Sequence, residues 1–208
     1  MFFRRRRRDP DDPQAQAWRE LADALELTRL DDAAEEELRA ELAVDTGRVA
    51  RLHALRREGQ PELLVFEHVR PHPGHRRGEE RRARVLLRSG DDVAEPAWRA
   101  FPAGHPLLAS LQASRSGGHL IETGDAAFDG AVGVVARDPE PAAARMTGPV
   151  RTALLQLLAD DLPEATVSCG GRDLAWWAHA QLDPPCDRLD RVASRLLAAW
   201  AALAASRR

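Results

Sequence analysis

At 208 residues, with 44% of them hydrophobic and 30% charged, the chain is long for one domain and short for two. No apolar stretch approaches the ~20 residues that a membrane-spanning helix requires. The formal net charge is -3, and because the arginines at 4–8 supply +5, the remainder carries -8, an acidic body that repels phosphate backbones and argues against nucleic-acid binding.

Lys, Asn and Tyr are absent and Ile121 is the only isoleucine, the mark of GC-rich coding, so the abundance of Arg is no nucleic-acid signal. The only cysteines are Cys169 and Cys186. No CxxC spacing occurs, which excludes a zinc ribbon or a thioredoxin-like motif. With no export signal, both are expected as thiols of a cytoplasmic protein.

The N-terminus pairs Phe2 and Phe3 with Arg4, Arg5, Arg6, Arg7 and Arg8. Asp9-Pro10-Asp11-Asp12-Pro13 then stands where an export signal needs an apolar run. Two aromatics beside a polybasic stretch could touch an anionic membrane surface, each Arg adding about 1 kcal/mol. Stable anchoring takes a second signal, so residues 1–13 are expected to be a disordered tail and 14–208 one domain.

Residues 14–27 place Trp18, Leu21, Ala22 and Leu25 three and four apart, which predicts an amphipathic helix with Pro13 in its first turn. The acidic run 31–37 extends a helix or forms a solvated connection. From Leu38 the period changes, and Leu42 and Val44 read as the first strand of an antiparallel meander, with a continued helix as the alternative for this segment. Its further strands are 49–55, 62–69 and 83–88, with turns at Gly47 and Gly59. Around Pro96-Ala97-Trp98 and His105-Pro106-Leu107 the prolines suggest short helical turns.

Residues 119–122 and 128–136 predict two strands joined through Thr123-Gly124-Asp125. Asp138-Pro139 starts a short helix to Arg145, and residues 149–160 form another with Val150, Leu154, Leu157 and Leu158 inward. Gly170-Gly171 signals a hairpin between 165–169 and 173–178. A final helix over 187–203 turns Leu189, Val192, Leu196, Trp200 and Leu203 to one face. Strands cluster and helices cluster. The predicted class is therefore α+β: a mainly antiparallel sheet of meander and hairpins, helices packed on one face, and amphipathic helices at both ends.

His119, Asp125 and Asp129 are the strongest polar constellation, able in principle to bind a divalent cation or run acid–base chemistry. The favoured reading is a turn: Gly124 supplies unusual backbone angles, Asp125 bonds nearby amides, and Phe128 pins the connection to the core. His68, His72 and His75 have the spacing of metal ligands, but two of them would hang on a Pro-broken loop among arginines. Cys169 and His179 could pair as thiolate and imidazole, although no family-type signature surrounds them. Without Lys there is no Walker motif, and no GxSxG is present. Trp176 and Trp177 point to opposite faces of a strand, so one fills the core, and the other is expected under the final helix or, if exposed, as a partner contact.

Trp18-Arg-Glu-Leu-Ala, Gly47-Arg48-Val49, Thr123-Gly124-Asp125 with Phe128-Asp129, and Arg151-x-x-Leu154 form an ordered series over residues 18–203. In these motifs the chain resembles a family of bacterial proteins of unknown function with a "tGD..FD" signature and an N-terminal W..LA helix. After Asp129 it departs from that pattern, with Gly130-Ala131 in place of bulkier residues. The resemblance implies an α+β module, sometimes an accessory part of larger or membrane-associated proteins, and transfers no catalytic residue.

The resulting expectation is a non-catalytic protein-interaction or accessory module with no cofactor and no metal, binding a protein partner or a second copy. The alternatives are a hydrolase or metal-dependent enzyme centred on Asp125, Asp129 and His119, and a peripheral membrane protein attached through its N-terminus.

Overall fold

The computed structural model describes residues 13–46, 49, 51–71, 79–90, 96–103, 117–158, 165–179 and 186–206. Helix α1 (Pro13–Leu25) begins on proline, whose missing N–H is no loss in a first turn, and buries Ala17, Trp18, Leu21 and Leu25 along one stripe. It stops at Glu26, whose φ of 54° is left-handed, while the Leu27 N–H reaches back to the Ala22 carbonyl at 2.8 Å. That is the closing bond of a Schellman motif, at a position where glycine is the unstrained choice. Replacing Glu26 with glycine is therefore expected to raise stability by about 0.5–1 kcal/mol in denaturant unfolding. An unchanged or lower midpoint would show that the Glu26 side chain is worth more than the strain.

After the two-residue strand β1 (Thr28–Arg29), helix α2 (Asp32–Thr46) is capped by Asp31, whose carboxylate accepts the Ala34 N–H at 2.8 Å. The expected strand at Leu42 and Val44 is thus helical. Leu38 and Leu42 sit one turn apart and are both buried, and the capped Ala-, Glu- and Leu-rich run carries the helix on to Thr46. Strands β2 (Arg51–Arg57), β3 (Glu62–Pro71) and β4 (Glu79–Arg88) then form the predicted meander in continuous antiparallel register.

β5 (Trp98–Pro102) replaces the expected helical turn. It lies between two later strands, which supply hydrogen-bond partners on both of its sides, and that pairing overrides the local proline signal. β6 (His119–Ile121) is followed by a short helix, α3 (Ala126–Ala131), and only then by β7 (Val132–Ala136). Phe128, expected in the strand, is on α3 because Asp125 caps a helix there. Helices α4 (Pro139–Arg145) and α5 (Gly148–Leu158) lead to the hairpin β8 (Thr166–Gly170) and β9 (Asp173–His179). Gly170 pairs with Asp173, so the loop is Gly171-Arg172, with Gly171 at φ 57°. Helix α6 (Cys186–Ala205) closes the described chain.

Among the described residues nine strands make one antiparallel sheet in the order β1-β2-β3-β4-β9-β8-β5-β7-β6, and the fold is α+β. Directly paired residues share a face, so one cross-strand row reads Leu55, Val65, Val85, Trp176, Val167, Ala100, Val134, Ile121. Every member is buried, in one core with Trp18 and Leu21 of α1, Phe128 of α3, Leu154 and Leu157 of α5, and Leu189, Leu196 and Trp200 of α6. Each such side chain withdrawn from water contributes roughly 1.5–3 kcal/mol.

The row beside it, on the opposite face, reads Arg56, Leu64, Leu86, Ala175, Ser168, Arg99, Val135, Leu120. Only its β3–β4 part is apolar enough to hold a helix. There α2 packs Leu38 and Leu42 on Leu64, Phe66 and Leu86, in a second, smaller core. The helices therefore pack on the sheet, with α2 on the other face from the rest. On that same face Gly133 makes room for Phe101, since a Cβ at Gly133 would lie 2.5 Å from the Phe101 ring.

Candidate functional site

The Thr123–Asp129 corner joins β6 to α3 and gathers the polar groups that the sequence singles out. Gly124, at φ 78°, turns two successive amides toward one point. The Thr123 N–H donates to both carboxylate oxygens of Asp129, at 3.2 and 3.1 Å, and the Gly124 N–H donates to Oδ2 at 3.2 Å. The Thr123 hydroxyl adds a 2.8 Å bond to Oδ1. Asp129 thus fills a backbone nest of the kind that elsewhere receives a bound anion.

Asp125 is held by different partners. Its Oδ1 accepts the Phe128 N–H at 3.2 Å as an N-cap, and its own N–H donates to Thr123 Oγ1 at 3.3 Å. Its Oδ2 accepts Arg151 Nε at 3.2 Å, and Arg151 also donates to the Met146 carbonyl at 2.6 Å. Arg151 therefore ties the corner to the first turns of α5, while Phe128 is fully buried in the core. Sequence reasoning placed Arg151 in a motif but did not pair it with Asp125. The two are 26 residues apart, and no local pattern reports such a contact.

His119 stands apart from this corner. It is exposed at the start of β6, four residues before Thr123, or about 13 Å of extended chain. The enzyme alternative needs His119 beside the two aspartates, and the corner is assembled without it. Among the described residues no three His, Cys, Asp or Glu side chains come together in a way that could hold a metal ion.

The other sequence candidates are also dispersed. His68 is fully buried on β3, tilted against Phe66 with ring centroids 6.3 Å apart, while His72 and His75 lie outside the described residues. Cys169 is a buried thiol that pairs in register with Leu174. His179 is five residues further along β9, about 17 Å away along the strand, so the register separates the two positions. Trp176 fills the main core, and Trp177, half-buried on the opposite face, carries the Arg82 guanidinium 5.3 Å from its ring centre. The membrane candidates Phe2, Phe3 and Arg4 to Arg8 lie outside the described residues. No described helix is long and apolar enough to cross a membrane.

Two clefts open on the α2 side of the sheet. One, of about 230 Å³, lies under α2 between Leu38, Glu37, Glu41, Glu62, Arg56 and Arg88. Arg88 bridges Glu41 at 2.7 Å and Asp173 at 3.0 Å, and the bond to Asp173 above all holds its guanidinium even more firmly protonated than usual. Arg56 bonds Glu58 at 2.9 Å and lies 3.9 Å from Glu62, so most of the charge here is spent within the cleft. The second, about 270 Å³, is bounded by Arg99, Gly118, Val135, Arg137 and Ser168. Both are smaller than the clefts that usually enclose a small-molecule ligand, ~300 Å³ and above. No protein-family model matches the chain, and no curated protein matches it either.

Proposed function

We propose that the chain is a non-catalytic interaction or accessory module of a bacterial cytoplasmic assembly, working through its surface and not through a reaction. One observation carries this reading: the two aspartates of its most distinctive motif are engaged in holding the backbone. Asp129 accepts three donors from Thr123 and Gly124, and Asp125 is shared between a helix cap and Arg151. A general base or a nucleophile needs an oxygen directed at substrate, and these are directed at the chain itself. The Lys-free, Arg- and Ala-rich composition and the "tGD..FD" resemblance support a bacterial source.

The reading is tested by exchanging Asp125 and Asp129 for their amides, one at a time, and assaying each protein on a panel of ester, phosphoester and glycoside substrates with and without added divalent metal. The expected result is a lowered melting temperature and no turnover that depends on either carboxylate. A turnover lost on amide replacement while the melting temperature stands unchanged would overturn it.

A further inference from the structure

Among the described residues strand β6 is one edge of the sheet, and its middle residue, Leu120, is the exposed large hydrophobic residue, at 50%. Sheet edges are usually guarded by charge or proline, because an open row of backbone N–H and C=O groups invites another strand. The opposite edge, β1, carries Thr28 and Arg29, both exposed. β6 carries only His119, Leu120 and Ile121. We propose that β6 is a self-association edge, at which a second copy of this chain adds its own β6 antiparallel across a two-fold axis.

The register on the page makes the edge self-complementary. An antiparallel pair centred on Leu120 puts it against Leu120 of the second copy, burying both apolar side chains on the axis. Two residues along, on the same face, Glu122 falls opposite Gly118 of the second copy. Within each copy Ala136 pairs with His119, so the next position, Arg137, stands beside Gly118. The cross-strand row through the interface is then Glu122, the second copy's Gly118, the second copy's Arg137, and the two-fold repeats it.

Glycine is the residue this row requires. A Cβ at Gly118 would lie 2.7 Å from Val135 Cγ1 and 3.0 Å from the Ala136 carbonyl oxygen, so no side chain interrupts the path between the two charges. Across two strand spacings the gap is about 10 Å between Cα atoms, a span that a glutamate and an arginine cover between them. Glu122 and Arg137 are both exposed, and neither has an ionic partner among the described residues. The dimer thus supplies an opposite charge to each of these two exposed groups and covers the exposed leucine. This rests on the interaction-module reading and names the partner.

The test is sedimentation velocity on the full chain from about a micromolar to about a millimolar, the range in which so small an interface assembles. A reversible dimer is expected, with Leu120→Arg weakening it about tenfold or more. Glu122→Arg and Arg137→Glu should each weaken it, and the double reversal should recover most of the loss, with circular dichroism showing all variants folded. A chain monomeric throughout, a dimer indifferent to Leu120→Arg, or a double reversal no tighter than the single ones would overturn the proposal. A monomer that still retains a different protein would overturn the dimer alone and leave the interaction-module reading standing.

Discussion

Asp129→Ala should lower the melting temperature by about 6–12 °C, because it removes a carboxylate that accepts from three donors and leaves them unmatched in a folded corner. Hydrogen bonds to charged acceptors are worth about 1.5–3 kcal/mol each in favourable cases. Asp129 is only half-buried, and water can reach part of the vacated nest, so about 3 kcal/mol in total is the expected loss. In a chain of this length each kcal/mol moves the midpoint by about 2–4 °C. Asp129→Asn should fall between, since the amide keeps one accepting oxygen and turns an NH2 toward amides that also donate. Asp125→Ala should cost less, about 1 kcal/mol, the value of an N-cap on a short helix. Its bond to Arg151 adds little, because the Asp125 side chain is 40% exposed and Arg151 keeps the Met146 carbonyl. Thermal melts followed by circular dichroism decide the order. If Asp129→Ala melts within 2 °C of the parent, on the order of half a kcal/mol, the nest does not hold the corner and the proposed function loses its main support.

What was legible in the chain was what local spacing reports. The stripe from Leu189 to Leu203 on α6, the inward Val150, Leu154, Leu157 and Leu158 on α5, and the Gly171 turn each declare themselves within one or two turns of sequence. The opposite orientations of Trp176 and Trp177 follow from strand alternation alone. What was not legible depends on distant segments. β5 reads locally as a proline-started turn, and it is a strand because residues 132–136 and 167–169 flank it. The strand expected at Leu42 fails for a different reason. Val44 and the following Gly47 suggest a change of period, but the cap at Asp31 and the apolar face of β3 and β4 reward helix through Leu38 and Leu42. In the corner, Gly124 and the Asp125 turn were visible from residue type. The role of Arg151 was not, because its partner is fixed only once α5 packs beside α3.

Trp176 offers the sharpest contrast between volume and polarity in the core. Its indole is 1% exposed, and its Nε1–H lies buried with no hydrogen-bond partner among the described residues. The folded protein already bears the desolvation of that donor, about 1–3 kcal/mol. Trp176→Ala should therefore cost about 3–5 kcal/mol, the loss of a large aromatic from a packed site between β4, β8 and the helices. Trp176→Phe removes the unsatisfied N–H together with one ring, so the relief offsets the smaller volume. Its stability should lie within about 1 kcal/mol of the parent in either direction. Trp177→Phe is the control on the other face of the same strand, where the weaker ring loses part of the Arg82 contact, about 0.5–1 kcal/mol. Urea unfolding of the three variants measures all of these costs. Should Trp176→Phe prove nearly as damaging as Trp176→Ala, the indole N–H must have a buried acceptor, a trapped water being the simplest, and the apolar account of the central row would fail at its middle strand.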